Sequence, residues 1–261
     1  MSVTVTILGS SGTYASVGNA CSGYLVEFDG YRVVLDCGPG TLANLQRHID
    51  PTEIDALVLT HCHPDHWLEL PVLRNALKYC LGHEGLAVYG TEETLSMAEV
   101  VCHREMAPTL LCEVIADGED LVLGPFRMRT SRTQHPPETL AVRLDAGGES
   151  VAYSADTGAG WSFTELGAGI DLALCDATAL DTERDRVVGL HLTAAQAGEM
   201  ARTSGVGQLV ISHLLPGGDP VEYQDEAAAA YGAPVHVALP GATFGPSLGA
   251  STRAPSTDES R

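Results

Sequence analysis

Thr60-His61-Cys62-His63-Pro64-Asp65-His66 is the stretch that decides the fold. Three imidazoles and one carboxylate fall within its last six residues, a ligand set suited to two closely spaced metal ions. Before it, Ile54 to Leu59 reads as a buried strand. After it, Glu69 to about Tyr79 reads as a helix with Pro71 in its permissive first turn. The motif therefore occupies a strand-to-helix loop. His61 and His63 can point one way as a chelating pair, while Asp65 and His66 turn toward a second ion. Cys62 alternates with the pair and should face away. Imidazole and carboxylate without thiolate suit Zn²⁺, with Mn²⁺ or Fe as substitutes. A chance histidine-rich loop is the competing reading.

Working outward, Val3 to Leu8 is an alternating, β-branched strand that ends in Gly9-Ser10-Ser11-Gly12. Ser22 to Phe28 and Tyr31 to Leu35 form a hairpin across Asp29-Gly30, a strong two-residue turn signal. Asp36-Cys37-Gly38-Pro39-Gly40 then leads into a helix, Thr41 to His48. A short strand at Ala87 to Tyr89 and a helix from Thr91 to Cys102 follow the histidine loop. A second β-rich block covers Asp120 to Leu123, Phe126 to Thr133, Leu140 to Leu144 and Val151 to Ser154. Strands at Leu172 to Cys175, Gln208 to Ile211 and Val235 to Ala238 then alternate with helices at Thr193 to Thr203 and Asp219 to Tyr231. Elements thus come in two similar batches, each strand-rich first and helix-bearing later. An α/β arrangement of two face-to-face sheets with helices on their outer faces satisfies that order. Residues 1–246 read as one domain and 247–261 as a polar, disordered tail.

The 261 residues carry 34 acids against 14 lysines and arginines, a formal charge of −20, and Lys78 is the only lysine. Two Zn²⁺ would restore only about four charges. So acidic a body disfavours long nucleic acid and leaves a small anionic or neutral substrate entering a locally positive pocket. Seven cysteines without paired spacing fit reduced thiols. No apolar run is long enough to span a bilayer and no signal-peptide pattern opens the chain, so a cytoplasmic location away from membranes is the expectation.

Downstream, three residues stand at strand exits: His135 in Thr133-Gln134-His135-Pro136, Asp156 in Tyr153-Ser154-Ala155-Asp156-Thr157, and His213 in Ile211-Ser212-His213. Any one alone would more often be structural. Together with the histidine loop they resemble the metallo-β-lactamase superfamily, in its phosphodiesterase branch of tRNase Z and small-molecule cyclic phosphodiesterases. Leu8-Gly9-Ser10-Ser11-Gly12 with Asn19, and Asp36-Cys37-Gly38-Pro39-Gly40-Thr41, add to the likeness, which covers most of the first 240 residues. The resemblance implies a four-layer αβ/βα sandwich of two mixed sheets flanked by helices. It also implies one Zn²⁺ on His61, His63 and His135, a second on Asp65, His66 and His213, and Asp156 bridging them. Ions so bridged can share a hydroxide and clamp attacking and leaving oxygens. Asp36 is expected to orient a ligand histidine through its other ring nitrogen, or else to be a plain turn aspartate.

His191-Leu192-Thr193 discriminates further. Thr193 with Gln196 forms a capping-box pattern, so His191 lies just before a helix start. By resemblance, this segment matches the branch's His-Ser-Thr, whose histidine is the general acid. Cys175-Asp176-Ala177-Thr178 matches its His-Glu-Ala-Thr, whose glutamate orients that histidine. Here Leu192 and Asp176 replace the usual serine and glutamate, so the shorter Asp176 must approach more closely. A loop histidine and a turn-forming aspartate are the other reading. Asp65, His191 and Asp176 are thus the catalytic candidates, with attack by a bridging hydroxide and protonation of the leaving oxygen by His191.

A cyclic nucleotide is the substrate best matched to this pattern. tRNA 3′-end processing is the rival, yet only a short hairpin around Asp145-Ala146-Gly147-Gly148 fits where that activity carries its protruding arm. A lactamase or lactonase is disfavoured by Asp156 and the His191 segment, and a silent scaffold by the full ligand set. The resemblance also implies a possible homodimer. Arg127, Arg129 and Arg132 offer phosphate contacts or ordinary exposed charges. Cys80, His83, Cys102, His103 and Cys112 match no standard zinc spacing.

Overall fold

The computed structural model describes residues 1–247. Its strands are β1 (Thr4–Gly9), β2 (Gly23–Phe28), β3 (Tyr31–Leu35), β4 (Ala56–Leu59), β5 (Leu86–Gly90), β6 (Leu110–Val114), β7 (Asp120–Leu123), β8 (Phe126–Arg132), β9 (Leu140–Ala146), β10 (Glu149–Tyr153), β11 (Leu172–Asp176), β12 (Gln208–Ser212), β13 (Val235–Val237) and β14 (Thr243–Phe244). They form two seven-stranded sheets, ordered β14-β1-β2-β3-β4-β5-β6 and β13-β12-β11-β10-β9-β8-β7. Both are mixed in the same way. β14 through β3 pair antiparallel and β3 through β6 parallel; β7 through β10 pair antiparallel and β10 through β13 parallel. Asp29-Gly30 turns the first hairpin with both φ angles positive, as its sequence required.

Period-two alternation sorts side chains between the inner and outer faces. Val5, Ile7, Tyr24, Val26, Val33, Leu35 and Val58 face Phe126, Met128, Val142, Leu144, Tyr153 and Leu174 in the inter-sheet core. The parallel strands are apolar on their outer faces too, and helices cover them. α1 (Thr41–Leu45), α2 (Pro64–Trp67), α3 (Leu70–Asn75) and α4 (Glu92–Val101) flank the first sheet, where Leu25, Leu57, Leu59 and Val88 meet Leu70, Leu73 and Leu95. After the short α5 (Arg184–Val187), α6 (Ala194–Thr203) and α7 (Pro220–Tyr231) flank the second sheet, packing Ala197, Ala201 and Ala227 against Ala173, Leu209 and Ile211. The four-layer αβ/βα sandwich expected from the resemblance is the architecture found.

Three expectations need correcting. The helix drawn from Glu69 to Tyr79 is α3 followed by a π-helical turn, Ala76–Leu81, which ends on Gly82 at positive φ. The helix drawn to His48 ends as α-helix at Leu45. Strands β6 and β14 lack any alternating signal and went unread. The tail drawn from residue 247 lies, beyond Ser247 itself, outside the described residues.

Candidate metal centre

Loops leaving β1, β3, β4, β10, β11 and β12 meet at one end of the sandwich. Four non-glycine residues on these exits, Thr13, Asp36, Ala155 and His213, adopt left-handed φ angles of 66°, 59°, 50° and 61°. Strain of this kind persists only where surrounding structure over-determines it. Two glycines let the loops approach closely. A Cβ on Gly38 would sit 1.9 Å from the Asp65 carbonyl oxygen, and one on Gly12 would sit 2.9 Å from His213 Nδ1.

All seven residues drawn as ligands come together. His61, His63, His135 and Asp156 form one group, and Asp65, His66 and His213 another. Asp156 stands between them with its two oxygens divided. Oδ2 lies 3.5 Å from His61 Nε2 and 3.7 Å from His135 Nε2, whereas Oδ1 lies 3.4 Å from both His66 Nε2 and His213 Nε2. His63 Nδ1 is 3.1 Å from His135 Nε2, and Asp65 Oδ2 is 3.3 Å from His213 Nε2 and 3.7 Å from His66 Nε2. Bonds of about 2.0–2.1 Å to one tetrahedral cation set its ligand atoms about 3.3 Å apart. Most of these separations are too long for good hydrogen bonds and match that edge length.

Satisfaction of polar atoms points the same way. His61 Nε2, His66 Nε2 and Asp156 Oδ1 are buried without a hydrogen-bond partner, all aimed inward. Orphaned buried polar atoms are costly unless something binds them. The far side of four of the rings is occupied instead. His66 Nδ1 lies 2.7 Å from Asp36 Oδ2, which also accepts from Thr60 Oγ1 and the Tyr153 hydroxyl. His61 Nδ1 meets Thr60 Oγ1 at 3.0 Å, His213 Nδ1 meets Thr178 Oγ1 at 2.9 Å, and His135 Nδ1 donates to the Leu190 carbonyl at 2.7 Å. Bonds on one nitrogen leave the other's lone pair free for a cation. Asp65 is steadied by the Thr13 amide at 2.8 Å.

Electrostatics divide the rings. Burial pushes His61 down to about 4 and lowers His63 and His135, keeping them neutral, the form that ligates. Burial opposes charge on His66 too, but Asp156 and Asp36 outweigh it and hold its pKa well above the usual range. Burial works against ionised Asp156, yet His213 and His66 bring it well below the carboxylate range. A cation between them would replace the proton that these groups otherwise share.

His191, at 18% side-chain exposure, lies at the mouth with its ring stacked on His213 and 4.9 Å from that of His135. Its Nδ1 is 2.9 Å from Asp176 Oδ2. Asp176 is itself fixed by the Thr157 amide and by the amide and hydroxyl of Thr178. Burial disfavours charge on His191, but Asp176 pushes it up to about 9. Arg127 and Arg129 instead pair with Asp120 on the exposed face of β8. The scattered group Cys80, His83, Cys102, His103 and Cys112 does not gather among the described residues. Thr13, Thr60, Tyr153 and Thr178, which sequence reasoning passed over, buttress the centre. Thr60, Tyr153 and Thr178 lie within the quoted motifs, which was the available signal.

Comparison with known proteins agrees with this picture. Residues 31–214 match the family described as the β-lactamase superfamily domain. An uncharacterised protein of Mycobacterium leprae (strain TN) is 34% identical over 254 residues, 94% of this chain and 89% of that one. Ribonuclease Z of Haloferax volcanii is 26% identical over 298 residues, covering 92% and 94%. The crystal structure of the metallo-β-lactamase fold protein YhfI from Bacillus subtilis superposes with a TM-score of 0.84 at 24% identity, covering 93% and 98%. YhfI is described as a probable metallo-hydrolase. This chain belongs to the β-lactamase superfamily, and its fold and His/Asp cluster are those of a metallo-hydrolase.

Proposed function

We propose that this protein is a dinuclear metal phosphodiesterase acting on a small phosphodiester, with a cyclic nucleotide as the matching substrate. One observation carries the reading: the His191–Asp176 pair stands directly over a carboxylate whose two oxygens face two separate ligand groups. His61, His63 and His135 would hold one Zn²⁺, Asp65, His66 and His213 the other, and Asp156 both. When bound, the ions polarise phosphoryl oxygens and lower the pKa of water.

The chain's own residues then have defined work. Asp36, Thr60, Thr178 and the Leu190 carbonyl fix ring orientations, so the ligand set needs little reorganisation. A departing ribose oxygen is a poor leaving group and needs a proton. With Nδ1 bound to Asp176, His191 keeps its Nε2 proton for that oxygen. Asp176 holds His191 in the protonated form that can give that proton up.

A second reading, tRNA 3′-end processing, draws on the similarity to ribonuclease Z. Two features weigh against it. Between His135 and Asp156 the chain folds only as the β9–β10 hairpin turned by Gly147-Gly148, and the net charge is −20. Hydrolysis assays with cyclic AMP, bis(p-nitrophenyl) phosphate, pre-tRNA and nitrocefin on Zn²⁺-loaded protein decide between the readings. Cleavage of the first two alone is expected. Cleavage of pre-tRNA or nitrocefin, with the diesters untouched, overturns the proposal.

A further inference from the structure

The loop after β1 reaches the centre and holds there a side chain that no contact explains. Thr13 stands at φ 66°, and its amide donates to Asp65 Oδ2 at 2.8 Å. The next amide, that of Tyr14, donates back to the Gly12 carbonyl at 2.7 Å. Thr13 is thus the middle of a γ-turn with positive φ, the rare and strained form. A β-branched residue there is a true outlier, and such strain points to a function for what it holds in place. The Tyr14 carbonyl accepts from Ser11 Oγ at 2.8 Å, so the backbone of Tyr14 is pinned at both its polar groups. Consecutive Cα atoms are about 3.8 Å apart, which puts Tyr14 one step from the amide that steadies a candidate metal ligand.

Among the described aromatic residues only Tyr14 and Tyr79 are more than half exposed, at 59% and 67%. Their surroundings differ. Tyr79 lies under the Arg74 guanidinium and the Lys78 ammonium, 5.9 and 5.0 Å from its ring centre. The Tyr14 ring meets no aromatic or cationic group, and its hydroxyl no partner, among the described residues. Burial is what makes an aromatic ring stabilising, so packing does not account for this one. Residues 10–22, between β1 and β2, contain no charged side chain in a chain at −20. On the His135 side of the centre, the Leu190 carbonyl holds that ring while Val188 and Leu190 stay exposed and apolar. Both loops therefore offer uncharged surface beside the ligands. An unpartnered aromatic face in that setting suits a neutral planar group, and every nucleobase presents one.

We propose that Tyr14 is a substrate contact, its ring the platform on which the nucleobase of the diester stacks while the phosphate lies on the metal centre. The proposal rests on the phosphodiesterase reading and deepens it, and the test separates the two. AMP and inorganic phosphate serve as probes, titrated by calorimetry into the Zn²⁺-loaded, desalted full chain. Tyr14→Ala should weaken AMP about tenfold, the loss of one base–aromatic stack, and leave inorganic phosphate within twofold. Tyr14→Phe keeps the ring and should keep AMP within twofold of the parent. In turnover, Tyr14→Ala should raise the KM for cyclic AMP about tenfold with kcat within threefold, the split expected of uniform binding. Three results overturn the contact: a parent that binds AMP no more tightly than phosphate, an AMP affinity unmoved in Tyr14→Ala, or a fall shared equally by phosphate. Loss of bound metal in Tyr14→Ala, read by plasma mass spectrometry, overturns it too, because the residue would then only support Asp65. Selective loss of AMP affinity in a protein that hydrolyses no diester would instead sink the phosphodiesterase reading and leave the contact standing.

Discussion

At the scale of single residues, the orphaned atoms set the strongest expectations. Asp156 has one oxygen toward each ligand group, and its Oδ1 has no hydrogen-bond partner. Asp156→Ala should therefore lower bound metal from two ions per chain to one or none, read by plasma mass spectrometry after dialysis. His191 lies one step further out, so its removal should separate chemistry from metal loading. His191→Ala is expected to cut kcat on cyclic AMP by about 10²–10⁴-fold with metal content unchanged. Full activity in that variant removes the general-acid role. Asp176→Asn should fall between the parent and His191→Ala, because His191 would remain in place without its carboxylate support. These residues were readable in the sequence because each stands in a short motif, Asp156 and Asp176 at strand ends and His191 just before a helix start. Thr60, Tyr153 and Thr178 stand in those motifs too, but their roles, like that of Thr13, were not legible, since threonine and tyrosine suit strands and turns equally well without a metal nearby. Only the fold shows that Tyr153, far along the chain, reaches Asp36 at 3.1 Å.

At the scale of elements, α6 shows how local sequence serves the site. Thr193 Oγ1 accepts from the Gln196 amide, and the Thr193 amide donates to Gln196 Oε1, closing the capping box two residues after His191. Thr193→Ala should cost about 1 kcal/mol of stability, seen as a lower urea midpoint at unchanged slope. Helix starts and hairpin turns were legible because their chemistry is local. β6 was not: four of its five residues are exposed at the sheet edge, so no alternation marks it. β14 is two residues long and exists through pairing with β1, more than 230 positions earlier in sequence. The π-helical turn after α3 likewise continues an apolar period that sequence alone assigns to α-helix. What was lost depends on partners distant in sequence, and what was kept depends on neighbours.

At the scale of the whole molecule, charge and metal act on stability together. A chain at −20 repels itself, so raising NaCl from about 10 mM to about 300 mM should raise the Tm of the metal-free protein by screening that repulsion. Stripping metal with a chelator should lower Tm by roughly 5–10 °C, the effect expected when a site filled at about a hundred times its Kd is emptied. A scan with and without chelator checks this. An unchanged Tm would mean that the centre is held by its hydrogen bonds alone.

The two sheets have matching strand orders, and each sends its own share of side chains to the common end. His61, His63, Asp65 and His66 hang from the first half; His135, Asp156 and His213 hang from the second. A cation gripped there would work as a clasp on a locket, fastening two leaves otherwise joined by their oily interior and a few polar contacts such as Tyr153 with Asp36. Amide hydrogen exchange deep inside both leaves, well away from any ligand, should therefore slow when the clasp is shut.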